Sequence, residues 1–76
     1  FFHRNRLLIT MGKPHAQRQS EIIQSALALA GELGVQKVTT QAIADRVGIA
    51  QATVFRHFKS RDAIFAAVIE WLSAQL

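Results

Sequence analysis

The sequence predicts an all-α domain: a three-helix bundle whose second and third helices are joined by a tight turn, followed by the start of a fourth, connecting helix. Apolar residues recur at helical spacing in the longer segments, and Gly34 and Gly48 separate these segments. No segment alternates apolar and polar residues as a half-buried strand does. These observations favour helices throughout.

The first helix is predicted over Gln17–Leu33. Apolar residues at positions i, i+4, i+7 and i+11 fall on one face of a helix. They are Ile22, Ala26, Leu29 and Leu33. Gly34 follows directly and suits a helix end, because glycine readily adopts the left-handed conformation.

A short connector, "VQKVTT", leads to the second helix and is expected to carry Val38 inward. Thr39 can cap a helix over Thr40–Val47 by accepting a hydrogen bond from a free backbone N–H. Ile43 and Val47 are four residues apart and share a face. Gly48 then ends this helix.

The third helix is short and runs from Ala50 or Gln51 to His57. Ser60 is predicted to cap the fourth helix, and Asp62 in its first turn suits the positive end of the helix dipole. The apolar stripe predicted for this helix consists of Ile64, Val68, Trp71 and Leu72.

Composition narrows the possible functions. The chain has 76 residues, a net charge of +4 and no cysteine, so it is predicted to be one small domain that favours anionic partners and has no disulfides or thiolate metal ligands. His3, His15 and His57 lack metal-ligand spacing. No cofactor or metal site is therefore expected. No enzyme activity is expected either, because no catalytic His–Asp arrangement lies near any serine in the sequence, namely Ser20, Ser25, Ser60 and Ser73.

The segment "QATVFRHF" has two unlike sides when it is placed on a helix. Val54 and Phe58 fall on one face, which is predicted to be core. Small, hydrogen-bonding and cationic groups occupy the opposite side, namely Ala52, Thr53 and Arg56, with His57 beside them. Phe55 flanks the apolar face and is equally compatible with core and surface.

Two short helices joined by a tight glycine turn form a helix-turn-helix, whose second helix can enter the DNA major groove. Gln51 can pair with an adenine edge, and Arg56 can reach a guanine or a phosphate. Ala52 and the methyl group of Thr53 can contact thymine, while Lys59 is placed for a phosphate. The pattern indicates DNA recognition.

The residues Arg18, Ala26 and Gly34, followed by "VTTQAIADRVGIAQATVFRHFKSRDAIFAAV", resemble the N-terminal DNA-binding domain of TetR-like (tetracycline-repressor-like) transcriptional regulators. The resemblance covers about Ala16 to Leu76 and implies a homeodomain-like arrangement. Phe55 stands where the family usually has tyrosine. Phenylalanine lacks the tyrosine hydroxyl, so the phosphate hydrogen bond usual in the family is not expected at Phe55.

The resemblance also implies roles for individual residues. Thr39 and Thr40 are expected to open the second helix against a phosphate, and Gln41 is expected to reach a base. The third helix is expected to read base edges, with backbone contacts at its end. The predicted DNA-binding residues are Thr39, Thr40, Gln41, Gln51, Ala52, Thr53, Phe55, Arg56, His57 and Lys59.

The predicted organisation is an N-terminal extension or arm over residues 1–15 and a DNA-binding domain over residues 16–76, with the helix-turn-helix at about 39–58. Met11 is a candidate natural start. In the family, a further helical domain dimerises and binds a small effector. The resemblance thus implies a cytoplasmic homodimer that binds double-stranded DNA at a palindromic operator, by default as a repressor.

Two alternatives from a different class remain open at this point. The alanine-rich first and fourth helices suit a protein-interaction module without DNA affinity. The segment "FFHRNRLLI" interleaves aromatic, aliphatic and cationic residues, as membrane-surface anchors do.

Overall fold

The computed structural model describes residues 14–76, and over that range the chain is entirely α-helical apart from turns, which confirms the all-α prediction. The elements are α1 (His15–Leu33), a short 3-10 turn (Val35–Lys37), α2 (Thr40–Val47), α3 (Gln51–His57) and α4 (Arg61–Ala74). Of the extension or arm expected over residues 1–15, residues 1–13 lie outside the described residues, whereas His15 is the first residue of α1.

Helix α1 begins two residues before the expected Gln17. Pro14 precedes the helix, and its carbonyl accepts a hydrogen bond from the backbone N–H of Arg18 at 3.0 Å. Proline is tolerated at this position because the first backbone N–H groups of a helix have no partner within the helix. The helix can therefore include His15 and Ala16, which carry no apolar periodicity.

One core holds the helices together. Helix α1 packs against both α2 and α4, and α3 packs against α2. The fully or nearly buried residues are Ile22, Ala26, Leu29, Val38, Ile43, Ala44, Val54, Ile64 and Val68. Phe58 packs against this cluster while remaining half-buried. Val38 and Val54 thus occupy the inward positions expected for them.

Burial at the helix ends is less than the apolar patterns predict. Leu33 is 47% exposed, because α1 ends there and the chain turns away at Gly34. In α4, Ile64 and Val68 are buried, but Trp71 is only half-buried and Leu72 is 42% exposed. The shared core is limited by the short α2 and α3, so the last turns of the longer α4 extend past it.

Arg61 fixes the connection between α1 and α2 to the start of α4. Its Nε donates to the carbonyl of Val38 at 2.6 Å, and its guanidinium also donates to the carbonyl of Val35. The same guanidinium lies 5.0 Å from the ring centre of Phe65. The Arg61 side chain therefore holds the 3-10 turn against the start of α4.

We expect Arg61→Ala to lower the free energy of unfolding by about 2 kcal/mol, because it removes charged donors from two backbone carbonyls. Arg61→Lys keeps the charge but loses the planar fork, so its loss should be smaller. Arg56→Ala is the matched control, since Arg56 is exposed and its hydrogen bond within residues 14–76 goes to Thr53 of its own helix. Equal melting temperatures for wild type and Arg61→Ala would contradict this role.

None of the helices within residues 14–76 is long and apolar enough to cross a bilayer.

Candidate nucleic-acid interface

The start of α2 is built from two threonines and a glutamine. Thr39 lies just before the helix, and its Oγ1 accepts a hydrogen bond from the backbone N–H of Ala42 at 3.0 Å, as expected of a cap. Gln41 is exposed and donates from Nε2 to Asp45 Oδ1 at 2.9 Å. This pairing holds the Gln41 amide on the surface of its own helix.

Gly48 makes the turn between α2 and α3. Its φ of 86° lies in the left-handed region, which residues that carry a Cβ rarely adopt. The backbone N–H groups of Gly48 and Ile49 both donate to the carbonyl of Ala44, at 2.8 and 3.0 Å. The end of α2 is therefore satisfied within the turn, and α3 can start three residues later.

Val54 decides which side of α3 faces outward. It is fully buried, whereas Ala52 and Arg56 are exposed and Gln51 and Thr53 are half-buried. A helix with one buried anchor must present its opposite side to solvent. The outer side of α3 therefore carries the small and hydrogen-bonding groups expected from the sequence.

Two hydrogen bonds organise these polar side chains. Gln51 Nε2 donates to Thr40 Oγ1 at 2.7 Å and so joins the start of α3 to the start of α2. Within α3, an Arg56 guanidinium N–H donates to Thr53 Oγ1 at 3.1 Å. Phe55 is 44% exposed, which places it on the surface.

His57 lies where α3 meets the start of α1. Its ring stacks on that of His15, with centroids 4.4 Å apart and an interplanar angle of 28°. His57 Nδ1 is enclosed and finds no hydrogen-bond partner among residues 14–76. Burial lowers the pKa of His57, and the positive charges of His15, Arg18 and Arg56 lower it further.

This depressed pKa predicts a loss of stability in mild acid. Protonation favours the unfolded chain, so the stability contribution is complete above the ordinary histidine pKa of about 6.5 and is lost as the pH falls towards the lowered value. We expect thermal melts of wild type to show this decline and those of His57→Gln to show a weaker one. Parallel pH profiles for the two proteins would contradict it.

Two further groups frame the surface. Lys59 is exposed just beyond α3. Arg46, in the last turn of α2, makes two hydrogen bonds to the Glu32 carboxylate of α1, at 2.7 and 2.6 Å. The Arg46 guanidinium lowers the pKa of the Glu32 carboxyl, chiefly through these hydrogen bonds. This pair links α2 to α1 at the surface and lies outside the predicted reading residues.

Two pairs of predicted residues are in direct contact in the structure, namely Thr40 with Gln51 and Thr53 with Arg56. Helical spacing predicts contacts between residues three or four apart, such as Thr53 with Arg56 and Gln41 with Asp45. The pair of Thr40 and Gln51 depends on how two helices cross, so periodicity alone gives no signal for it. Among residues 14–76, no three or more metal-ligating side chains gather as a metal site.

Comparison with known proteins gives a consistent result. Residues 22–68 match the family model described as bacterial regulatory proteins, tetR family. That range includes α2, the turn, α3 and the core-forming part of α4. It therefore covers the whole candidate interface apart from the start of α1.

Curated relatives include proteins named nucleoid occlusion factor SlmA from Escherichia coli O1:K1 / APEC, Enterobacter sp. (strain 638) and Klebsiella pneumoniae subsp. pneumoniae. Each is 40% identical over 60 residues, which are 78% of this chain and 30% of the relative. The chain thus spans less than a third of the length of these relatives. No solved structure gave a significant match.

Proposed function

The chain belongs to the TetR family of bacterial regulatory proteins, and on that premise we propose that it is the DNA-reading domain of a sequence-specific transcriptional regulator. Membership makes it a DNA-binding regulator of that family. The operator, the mode of regulation and the partners of the whole protein are the proposed part.

The observation that carries this proposal is the orientation of α3. Its buried Val54 anchors the helix, its outer side presents Ala52, Thr53 and Arg56, and the half-buried Gln51 lies at its first position. Their amide, methyl, hydroxyl and guanidinium groups match the donors, acceptors and thymine methyls of a major groove. In this proposal, Gln51, Ala52 and Thr53 read base edges, and Arg56 reaches a guanine or a phosphate.

Other predicted residues are assigned to the DNA backbone or to neighbouring bases. Thr39 and Thr40 face a phosphate at the start of α2, and Gln41 reaches a base. His57, the last residue of α3, and Lys59, just beyond it, contact the DNA backbone. Phe55 contributes its exposed ring without a hydroxyl donor. Backbone contacts position a protein on DNA, while base contacts give the sequence preference.

The full protein is proposed to act in the cytoplasm, on the nucleoid, as a homodimer and a repressor. Residues 16–76 are proposed to form the DNA-binding domain. Dimerisation and binding of a small effector are assigned to a C-terminal domain that this chain does not contain. A two-fold dimer implies a palindromic operator with half-sites about one helical turn apart or a multiple of it. No catalytic activity or cofactor is proposed.

The name of these relatives, nucleoid occlusion factor, supports a second candidate function for the full-length protein, which is nucleoid occlusion. The identity of 40% lies in the domain that this chain contains, and the rest of each relative has no counterpart here. Mapping the binding sites of the full-length protein along the chromosome separates the two candidates. A few sites near promoters favour transcriptional regulation, whereas sites dispersed over the nucleoid favour occlusion.

The base-reading assignment predicts a loss of selectivity. Gln51→Ala or Thr53→Ala should cost about 1–3 kcal/mol on the preferred DNA and much less on random DNA. Lys59→Ala is the matched control, because loss of a phosphate contact should weaken binding to all sequences and reduce the salt slope by about 1. Titrations of selected and random duplexes measure both effects. If Gln51→Ala lost the same binding free energy on both duplexes, Gln51 would not be a base-reading residue.

A further inference from the structure

A hydrogen bond between the side chains of Gln51 and Thr40 joins the two helices of the motif. The nitrogen of the Gln51 amide lies 2.7 Å from the Thr40 hydroxyl oxygen, and both residues are half-buried. Gln41, by contrast, is exposed and bonds to Asp45 within its own helix. Of these two glutamines, Gln51 is thus the one fixed by tertiary structure.

This contact determines which groups of Gln51 remain available. A glutamine amide has two N–H donors and one carbonyl acceptor. Thr40 accepts one N–H, which leaves one N–H and the carbonyl. In the major groove, adenine presents the complementary pair, an acceptor at N7 and a donor at N6, whereas guanine presents two acceptors at N7 and O6.

We propose that Thr40 is a positioning residue for specificity: its hydroxyl holds the Gln51 amide so that the free N–H and carbonyl read adenine in each half-site. This inference rests on the proposed function and names one base of the operator. Glutamine commonly pairs with adenine, and the new element is Thr40, the second residue, which sets the orientation of the Gln51 amide.

The physical benefit is preorganisation. A free glutamine side chain samples many rotamers, and ordering it on a base lowers the affinity. Here the rotamer is already selected in the protein without DNA. The hydroxyl proton of Thr40 remains available to donate, so the phosphate contact proposed for Thr40 is compatible with this role.

The test uses the full-length natural protein and selection from a pool of random DNA duplexes, followed by sequencing. Wild type should select adenine at one position of each half-site by on the order of tenfold over other bases. Gln51→Ala should lose this preference, which assigns the position to Gln51. Thr40→Val keeps the shape of threonine without the hydroxyl and should lose most of the same preference. Thr40→Ser should restore it.

Two matched controls separate positioning from a general structural role. Asp45→Ala frees Gln41 from its partner and should leave the adenine preference intact. In the Gln51→Ala background, Thr40→Val should cause no further change at that position, because the two residues act through one contact. Melting curves show whether each variant is folded.

Selection of guanine at the base position assigned to Gln51 would overturn the proposal. Bidentate pairing with guanine N7 and O6 requires both amide N–H groups of Gln51, and Thr40 accepts one of them. Retention of the adenine preference by Thr40→Val, or failure of Thr40→Ser to restore it, would overturn it as well. These outcomes leave sequence-specific binding in place. Loss of all sequence preference in the wild-type protein would instead contradict the proposed function itself.

Discussion

Ile43→Ala is expected to lower the free energy of unfolding of the 76-residue chain by about 2–5 kcal/mol. Ile43 is fully buried in α2, in the same core cluster as the fully buried Val54 of α3. Removing its side-chain carbons loses the free energy of transfer and leaves a cavity. A domain of this length has little stability in reserve, so a large part of the population should unfold at moderate temperature.

Ile69→Ala provides a control with the same chemical change. Ile69 is 66% exposed on α4, so its truncation should alter stability by about 0.5 kcal/mol or less. Melting of the two variants by circular dichroism measures the difference directly. Similar melting temperatures would mean that α2 is not held by the core as described here.

The same core sets the geometry of the DNA-binding surface. The sequence predicts Val38 and Val54 as inward residues, Thr39 and Ser60 as caps, and Gly48 as the turn, and the structure confirms each of them. These features are local: a cap or a turn needs a particular residue type within three or four positions of the chain. Short-range chemistry was therefore sufficient to define the motif.

Contacts between distant segments were less predictable. Arg61 reaches carbonyls 23 and 26 residues earlier in the chain, and Thr40 bonds to Gln51 eleven residues later. Both contacts depend on how the helices pack against one another, and the spacing of apolar residues in the sequence does not predict that packing. The stack of His57 on His15 is the extreme case, because it joins residues 42 positions apart.

The ends of the helices show a second limit of the pattern. Leu33 and Leu72 belong to apolar stripes, yet both are more than 40% exposed. Periodicity gives the direction in which a side chain points, but burial also requires another element opposite it. On α4, Ile69 and Leu72 are three residues apart and remain exposed in this chain, and Leu76, which lies beyond the end of the helix, is exposed as well.

The second large effect concerns affinity for DNA. We expect the 76-residue chain to bind the operator about 10²- to 10⁴-fold more weakly than the full-length protein, if that protein is a dimer. One reading surface makes few contacts, whereas a linked second surface meets its half-site at high effective concentration. The gain appears only when both half-sites are present with the correct spacing.

Footprinting of the chain and the full-length protein on the same DNA measures this difference. Besides the complete operator, the DNA set should contain one with a single half-site and one with five extra base pairs between half-sites, which rotates one by about half a helical turn. The full-length protein should lose most of its advantage on both altered sites, while the isolated chain should bind all three alike. Full affinity from the chain, or an asymmetric single site for the full-length protein, would contradict the proposed dimer. The helix-turn-helix would stand in either case, because its geometry lies within one copy of the chain.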